Sequence, residues 1–242
     1  MGPRQSTERT PRPTALVVHD WRGRIEAEYR SAAIAQETVL WLIRIGASPD
    51  LVRAGNRIVD DELVHAEMSR AVWTAAGGSE SFAVDRDSLA LPRAHKALEH
   101  DVVAAIVRVF CLGETVAVPL FANLRRRTTV PIARRALDRI LEDEVRHRDF
   151  GWLALAWLLD RPDADDLRAV IDAGLPQWIA ALERNYGDDL DGGIEAVTPA
   201  ERAWGVAPWK EFATILHRAY VRDYRSRFAR LGIAFPDLRP QG

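Results

Sequence analysis

The sequence predicts an all-α protein: a four-helix bundle with one long connection, followed by two additional C-terminal helices. Three observations carry this. Apolar residues recur at three- and four-residue spacing through most of the chain, no short runs alternate with period two, and one irregular stretch of some length separates two helix pairs. At 242 residues and 48% apolar content the chain can bury a large core, and the length suits one sizeable domain, expected over residues 15–235.

"MGPRQSTERTPRPT" (1–14) is polar, carries prolines and lacks periodicity, so it is expected to be a disordered tail. The bundle proper is expected over 20–160. Its first helix runs from about Asp20 to Ile45, with Ile25, Tyr29, Ala32, Ala33, Gln36, Leu40 and Ile43 at helical spacing and Gly46 as the stop. Ser48 as N-cap and Pro49 at the first helical position then open a second helix reaching about Ala76. "GGSESFAVDRDSLALPR" (77–93) is the long crossover. A third helix, about Ala94 to Arg126, contains Pro119, which removes a backbone hydrogen bond and should kink it. A short turn with Pro131 leads into the fourth, which ends near Asp160. The extra helices occupy about 164–185 and 199–231, separated by "GDDLDGG".

Composition excludes several classes. A net charge of -2 gives no polybasic footprint, so no nucleic-acid partner is expected. The longest uninterrupted apolar stretches, such as "GWLALAWLL" (151–159), are far shorter than the roughly 18 residues of a membrane-spanning helix. No charged leader with an apolar core is visible, and the single cysteine, Cys111, forms no internal disulfide and fits a reducing cytoplasm.

The chemistry lies in a repeat. "DDELVH" contains Asp61, Glu62 and His65; "EDEVRH" contains Asp143, Glu144 and His147. On a helix, residues three apart share a face, so each copy can offer a carboxylate and an imidazole to one metal ion. Two accidental copies of Asp-Glu-x-x-His are expected in roughly a few of every ten thousand shuffled sequences of this composition.

A shared site needs further carboxylates, and each of the two other helices offers one in an apolar setting: Glu37 in "AAIAQETVLWL" and Glu114 in "VFCLGETVAVPLF". A buried carboxylate is paired, protonated or bound to a cation. Glu37 lies about nine residues before the first turn and Glu62 about fifteen after it; Glu114 lies about fourteen before the second turn and Glu144 about sixteen after, so the heights are compatible with one layer. Tyr29, two turns before Glu37, reads as a core tyrosine. His95 and Glu99 are four apart but roughly four turns from Glu114, too far to share ions with it.

A Glu from each of two helices plus Glu-x-x-His from each of the other two resembles the ferritin-like di-iron or di-manganese carboxylate site. Asp61 and Asp143 bring "DELVH" and "DEVRH" closest to the oxygenase branch, including bacterial di-iron monooxygenases and the ribonucleotide reductase small subunit. The resemblance implies Glu37, Glu62, His65, Glu114, Glu144 and His147 as metal-binding and catalytic residues. It implies Asp61 and Asp143 as partners that orient the ligand imidazoles, each reaching to the His of the opposite motif. Where several members of that branch carry a Thr three or four residues after the third-helix Glu, this chain has Ala117 and Val118.

Four carboxylates and two imidazoles suit two Fe, a Mn/Fe pair or two Mn. Ala33, Leu40, Trp41, Phe110, Cys111 and Ala117 are expected to form an apolar pocket holding a small organic substrate. The expected activity is a non-haem di-iron oxygenase or oxidase with O2 as co-substrate and electrons from an external donor, a ferredoxin or reductase. A cytoplasmic homodimer is the expected form. Two alternatives are a ferritin-like iron-oxidising protein and a non-catalytic bundle whose acids and histidines only pair with arginines.

Overall fold

The computed structural model describes residues 10–79, 84–186 and 196–236. Among the described residues the structure is helical with no strand, in agreement with the all-α expectation. Seven helices form: α1 (Ala15–Arg44), α2 (Pro49–Ala75), α3 (Leu98–Arg127), α4 (Pro131–Leu158), α5 (Ala164–Tyr186), α6 (Pro199–Ala203), and α7, which comprises Trp209–Ala219, Tyr220–Tyr224 and Arg225–Arg230. A short 3-10 turn, Arg86–Leu89, lies in the crossover.

Local chemistry sets the boundaries. Gly46 at φ 81 takes the left-handed conformation that ends α1, and the Ser48 hydroxyl accepts from the Leu51 N–H at 3.3 Å to open α2, with Pro49 behind it. Pro131 at the first position opens α4, whose N-cap residue Val130 makes no side-chain cap hydrogen bond. The predicted last helix, 199–231, is interrupted because Gly205 at φ 88 and Pro208 break the ladder between α6 and α7. A Cβ at Gly205 would stand 3.0 Å from Leu137, so the break is pressed onto the bundle. The third helix begins at Leu98 rather than at Ala94, leaving His95 in the preceding loop.

The first four helices close a ring: α1 lies along α2, α2 against α4, α4 against α3, and α3 returns to α1. α5 and α7 cover the outside of α3. The buried stripe of α1, Val17, Trp21, Ile25, Glu28, Ala32, Ala35, Val39 and Leu42, steps by threes and fours. The apolar interior divides into two clusters, one around Trp21, Val72, Ala133 and Trp204, the other around Leu42, Ile58, Phe110 and Leu155. Tyr29 is 44% exposed, so it is a surface residue and not the expected core tyrosine.

α3 is long and apolar enough, by length and composition, to cross a membrane, but 72% of its most apolar window is buried within the protein, as befits a central helix. Its irregularity lies over Ile106–Glu114, which is π-helical, while the helix is continuous through Pro119. There α3 meets α4 through Gly151: a Cβ at that position would sit 2.6 Å from Phe110 Cβ and 2.7 Å from the Phe110 carbonyl carbon. The backbone of the π stretch therefore rests on the bare face of a glycine.

Of the predicted tail, residues 1–9 lie outside the described residues. Residues near its end are held in place: Trp204 Nε1 donates to the Pro11 carbonyl at 2.9 Å and the Thr14 hydroxyl donates to Glu201 at 2.7 Å. All of "GDDLDGG" (187–193) also lies outside the described residues, as do 80–83 of the crossover.

Gly151→Ala is expected to destabilise the protein by about 1–3 kcal/mol, because backbone and not a flexible side chain must give way. Gly23→Ala, within α1 and with nothing within 4 Å of its Cβ, should be neutral or stabilising by about 0.5–1 kcal/mol. Denaturant midpoints of the two variants check the contrast.

Candidate metal centre

Between the two apolar clusters lies a layer of buried acids and histidines. Glu28, Glu62, His65 and Glu144 bring one ligand atom each within 4.8 Å of one another, and Glu62, Glu114 and His147 do the same. Glu62 is common to both groups, so the six residues make two adjoining sites that share a carboxylate. Each of the four ring helices contributes: Glu28 from α1, Glu62 and His65 from α2, Glu114 from α3, Glu144 and His147 from α4.

Glu37 is not in this group. Among the described residues the α1 carboxylate that joins it is Glu28, 6% exposed, whereas Glu37 is half-buried. The two lie nine positions apart, and at about 100° per residue they face opposite sides of α1. Glu28 sits in register with Trp21, Ile25, Ala32 and Ala35; Glu37 falls between positions of that stripe. The signal was the phase of the stripe, which places a carboxylate where an apolar residue would otherwise stand.

The histidines are oriented from behind. His65 Nε2–H donates to Asp143 at 3.0 Å, and His147 Nε2 faces Asp61 at 3.4 Å, so each motif's Asp serves the other motif's imidazole. An ionised carboxylate only accepts, which puts the imidazole proton on Nε2 and leaves Nδ1 as the ligand atom. Arg139 and Arg146 bind both aspartates: Arg139 reaches Asp61 at 3.1 Å, Arg146 reaches Asp61 at 3.0 Å, and each also pairs with Asp143. Four charges thus tie α4 to α2 directly outside the two rings, whose centroids lie 5.7 Å apart.

Inside the layer the bonding is incomplete. His65 Nδ1, His147 Nδ1, Glu62 Oε2 and Glu144 Oε2 are buried without a hydrogen-bond partner. Nδ1 of His65 stands 3.4 Å from Glu62, and Nδ1 of His147 stands 3.4 Å from Glu62 and 3.8 Å from Glu144. Two inward imidazole nitrogens and two carboxylate oxygens without a hydrogen-bond partner are a donor set that a cation could complete.

The electrostatics show what a cation-free interior must do. Burial, then the neighbouring carboxylates, pushes Glu28 and Glu144 well above the usual carboxylate range, and burial raises Glu114. Glu62 is pulled the other way, to about 2, because His147 and His65 outweigh its burial. His147 rises to about 10: burial opposes its charge, but Asp61 and Glu62 favour it more strongly. Burial also opposes the charges of Asp61 and Asp143, and the arginines and histidines nonetheless hold both below the ordinary aspartate range. Protons held within the layer do the neutralising that a metal would do.

Two further structures support the layer. The π stretch ends at Glu114, and the Tyr224 hydroxyl of α7 donates to the Leu112 carbonyl within it at 2.5 Å. Next to Glu114, the Thr115 hydroxyl accepts from Trp152 Nε1 at 2.9 Å. Tyr186, the last residue of α5, is close enough to the layer that burial and the charges of Glu114, Glu144 and Glu28 raise its hydroxyl pKa. No periodicity within the four-helix region points to Tyr186 or Tyr224.

The residues expected to line a substrate pocket do not form one wall. Phe110, Cys111 and Ala117 are buried on α3, Ala33 is half-buried, Leu40 is 38% exposed, and Trp41, though buried, lines a cavity between α3 and α5. Leu40 is corrected to the solvent side of α1, adjacent in sequence to the buried stripe but out of its phase.

No family model matches the chain, and neither a curated protein nor a solved structure matches it at a significant level. The structure itself defines an all-helical protein with a buried group of glutamates and histidines able to hold a metal ion.

Groups whose folded pKa is raised stabilise the fold below their unfolded pKa, and that stability is lost as pH rises through the folded value. For His147 the window runs from 6.5 to about 10, and Glu28, Glu114 and Glu144 contribute with the same sign from 4.5 upward. Asp61 and Glu62, with lowered values, lose their contribution only toward acid. The chelator-treated protein should therefore melt at progressively lower temperature between pH 6.5 and 10. Added Mn(II) should stabilise it more at pH 8 than at pH 6, since metal displaces those protons. Melting curves across pH, with and without metal, check both signs.

Proposed function

We propose that the protein is a non-haem di-iron oxygenase or oxidase of the ferritin-like carboxylate type, which activates O2 to hydroxylate, desaturate or N-oxygenate a small organic molecule. The observation that carries this reading is the six-residue layer: two histidines with Nε2 fixed by aspartate and Nδ1 free, around a glutamate common to two adjoining sites.

Glu28, Glu62 and His65, with Glu144 beside them, would hold one ion; Glu62, Glu114 and His147 would hold the other. Four carboxylates balance the charge of two divalent cations, and oxygen with imidazole donors suits iron or manganese. When bound, the pair would supply the two electrons that dioxygen needs for its first two-electron reduction. The chain's own work is positional and electrostatic. Asp61 and Asp143 fix the imidazole tautomers, Arg139 and Arg146 keep those aspartates ionised, and the apolar clusters above and below exclude water from the layer. Glu28, Glu114 and Glu144, protonated by burial in the cation-free interior, give up their protons on metal uptake. The reading includes an external electron donor, since the chain has one cysteine and no nucleotide- or flavin-binding fingerprint.

Anaerobic titration with Fe(II) is expected to give two ions per chain, and stopped-flow mixing with O2 should oxidise both in one exposure. Glu28→Ala and Glu144→Ala should each weaken binding by about 100-fold or more, Asp143→Asn by about 10–100-fold, and Glu37→Ala not at all. Binding of fewer than two ions by the unsubstituted chain, or indifference to loss of Glu28, would contradict the assignment.

A further inference from the structure

Two histidines outside the metal layer stand together at the entry to α3. His95 lies in the loop and His100 in the first turn of the helix, with ring centroids 5.8 Å apart and planes at 82°. Five positions apart on one continuous helix, they would point about 140° away from each other, so their spacing alone does not pair them. They meet because α3 begins only at Leu98 and the chain before it folds back onto the helix. Glu99, between them, turns instead to Arg161 at 3.8 Å.

One buried carboxylate makes that fold. Asp101, 4% exposed, accepts from Ala94 N at 2.8 Å and His95 N at 3.0 Å, and it pairs with Arg93. Arg93 also donates to the carbonyls of His95 and Lys96, each at 3.1 Å. Asp101 further accepts from the His95 ring, Nδ1 lying at 2.9 Å. Burial opposes its charge, yet these backbone and side-chain donors hold it below the ordinary aspartate range. An ionised carboxylate only accepts, so Nδ1 carries the proton and Nε2 keeps its lone pair. The imidazoles of the layer are fixed by the same means with the two nitrogens exchanged.

The His100 ring makes no hydrogen bond among the described residues. Both histidines are partly exposed and line a cavity of about 790 Å3 between α3 and α5, so an ion and water can reach them. Two imidazoles on one ion, each nitrogen about 2.0–2.1 Å from the metal, place their ring centroids roughly 5–6 Å apart. The observed 5.8 Å falls in that range. Carboxylates lie on the same side: Asp166 lines the cavity, and Asp163, held below the ordinary range chiefly by Arg161, also feels His100. Arg108, the cation of the lining on α3, stands about two turns further along that helix. The pair is no extension of the layer, since His100 and Glu114 are separated by about 20 Å along α3 and none of the six layer residues lines the cavity.

We propose that His95 Nε2 and His100 chelate a divalent transition metal of the zinc, copper or nickel class, with water completing its coordination. Imidazole donors suit these ions, and the bound ion ties the loop before α3 to the first turn of the helix. Binding here does not depend on the di-iron reading.

Equilibrium dialysis of the metal-free full chain against micromolar Zn(II), with bound metal counted by atomic emission, tests this directly. The unsubstituted chain is expected to hold one Zn(II) more than the His95→Gln, His100→Gln double variant, whose Fe(II) stoichiometry and metal-free melting should match the parent. Either single substitution should weaken that ion by about 100-fold or more, because a chelating pair becomes a lone ligand. Asp101→Asn should weaken it by about 10–100-fold. Glu144→Ala, which acts at the layer, should leave it in place, so failure of the di-iron reading and failure of this site are read apart. An equal Zn(II) count in the double variant and the parent, or an affinity unchanged by His100→Gln, would overturn the proposal.

Discussion

The structure depends on burying four carboxylates and two imidazoles in one layer at mid-bundle. Without compensation such a layer is prohibitively costly, since each isolated buried charge costs several kcal/mol even after relaxation. Compensation comes from three sides. Arginines outside the bundle neutralise the aspartates that hold the imidazoles, a charged His147 faces Glu62, and protons neutralise Glu28, Glu114 and Glu144. The two apolar clusters are kept apart by this layer, so the stability of the fold comes from above and below a region whose glutamates and histidines could hold a metal ion.

Much of this was legible in the sequence because helices print their buried faces with a fixed period. The repeated Asp-Glu-x-x-His placed five of the six layer residues once Glu114 was added, since each motif lies within a single turn and needs no knowledge of how helices pack. Glu37 and Glu28 show where local reading stops. Both are glutamates in apolar surroundings at tolerable height, and only the phase of the whole stripe from Val17 to Leu42 separates them. Short windows around Glu37 contain enough apolar residues to look buried on any face. The stripe integrates over seven turns and does not.

Other parts were not legible because they arise from contacts distant in sequence. The π stretch before Glu114 has no compositional signature; it is held by Gly151 from α4 and Tyr224 from α7. The same holds for the lead-in to α1. Pro11 and Thr14 look like tail, yet Trp204 and Glu201, almost two hundred positions away, hold them, and Trp21 Nε1 donates back to the Trp204 carbonyl at 2.8 Å. The C-terminal helices therefore serve the bundle twice, bracing the π stretch at one end and clasping the chain's entry at the other.

The crossing of the two motifs has a further consequence. Because Asp143 serves His65 and Asp61 serves His147, each helical hairpin carries one imidazole whose tautomer is dictated by the other hairpin. The repeated motif is thus not a pair of independent units joined by a linker. It is an interlocked pair in which each imidazole is oriented from the other hairpin, so a change at either aspartate acts first on the histidine across the bundle.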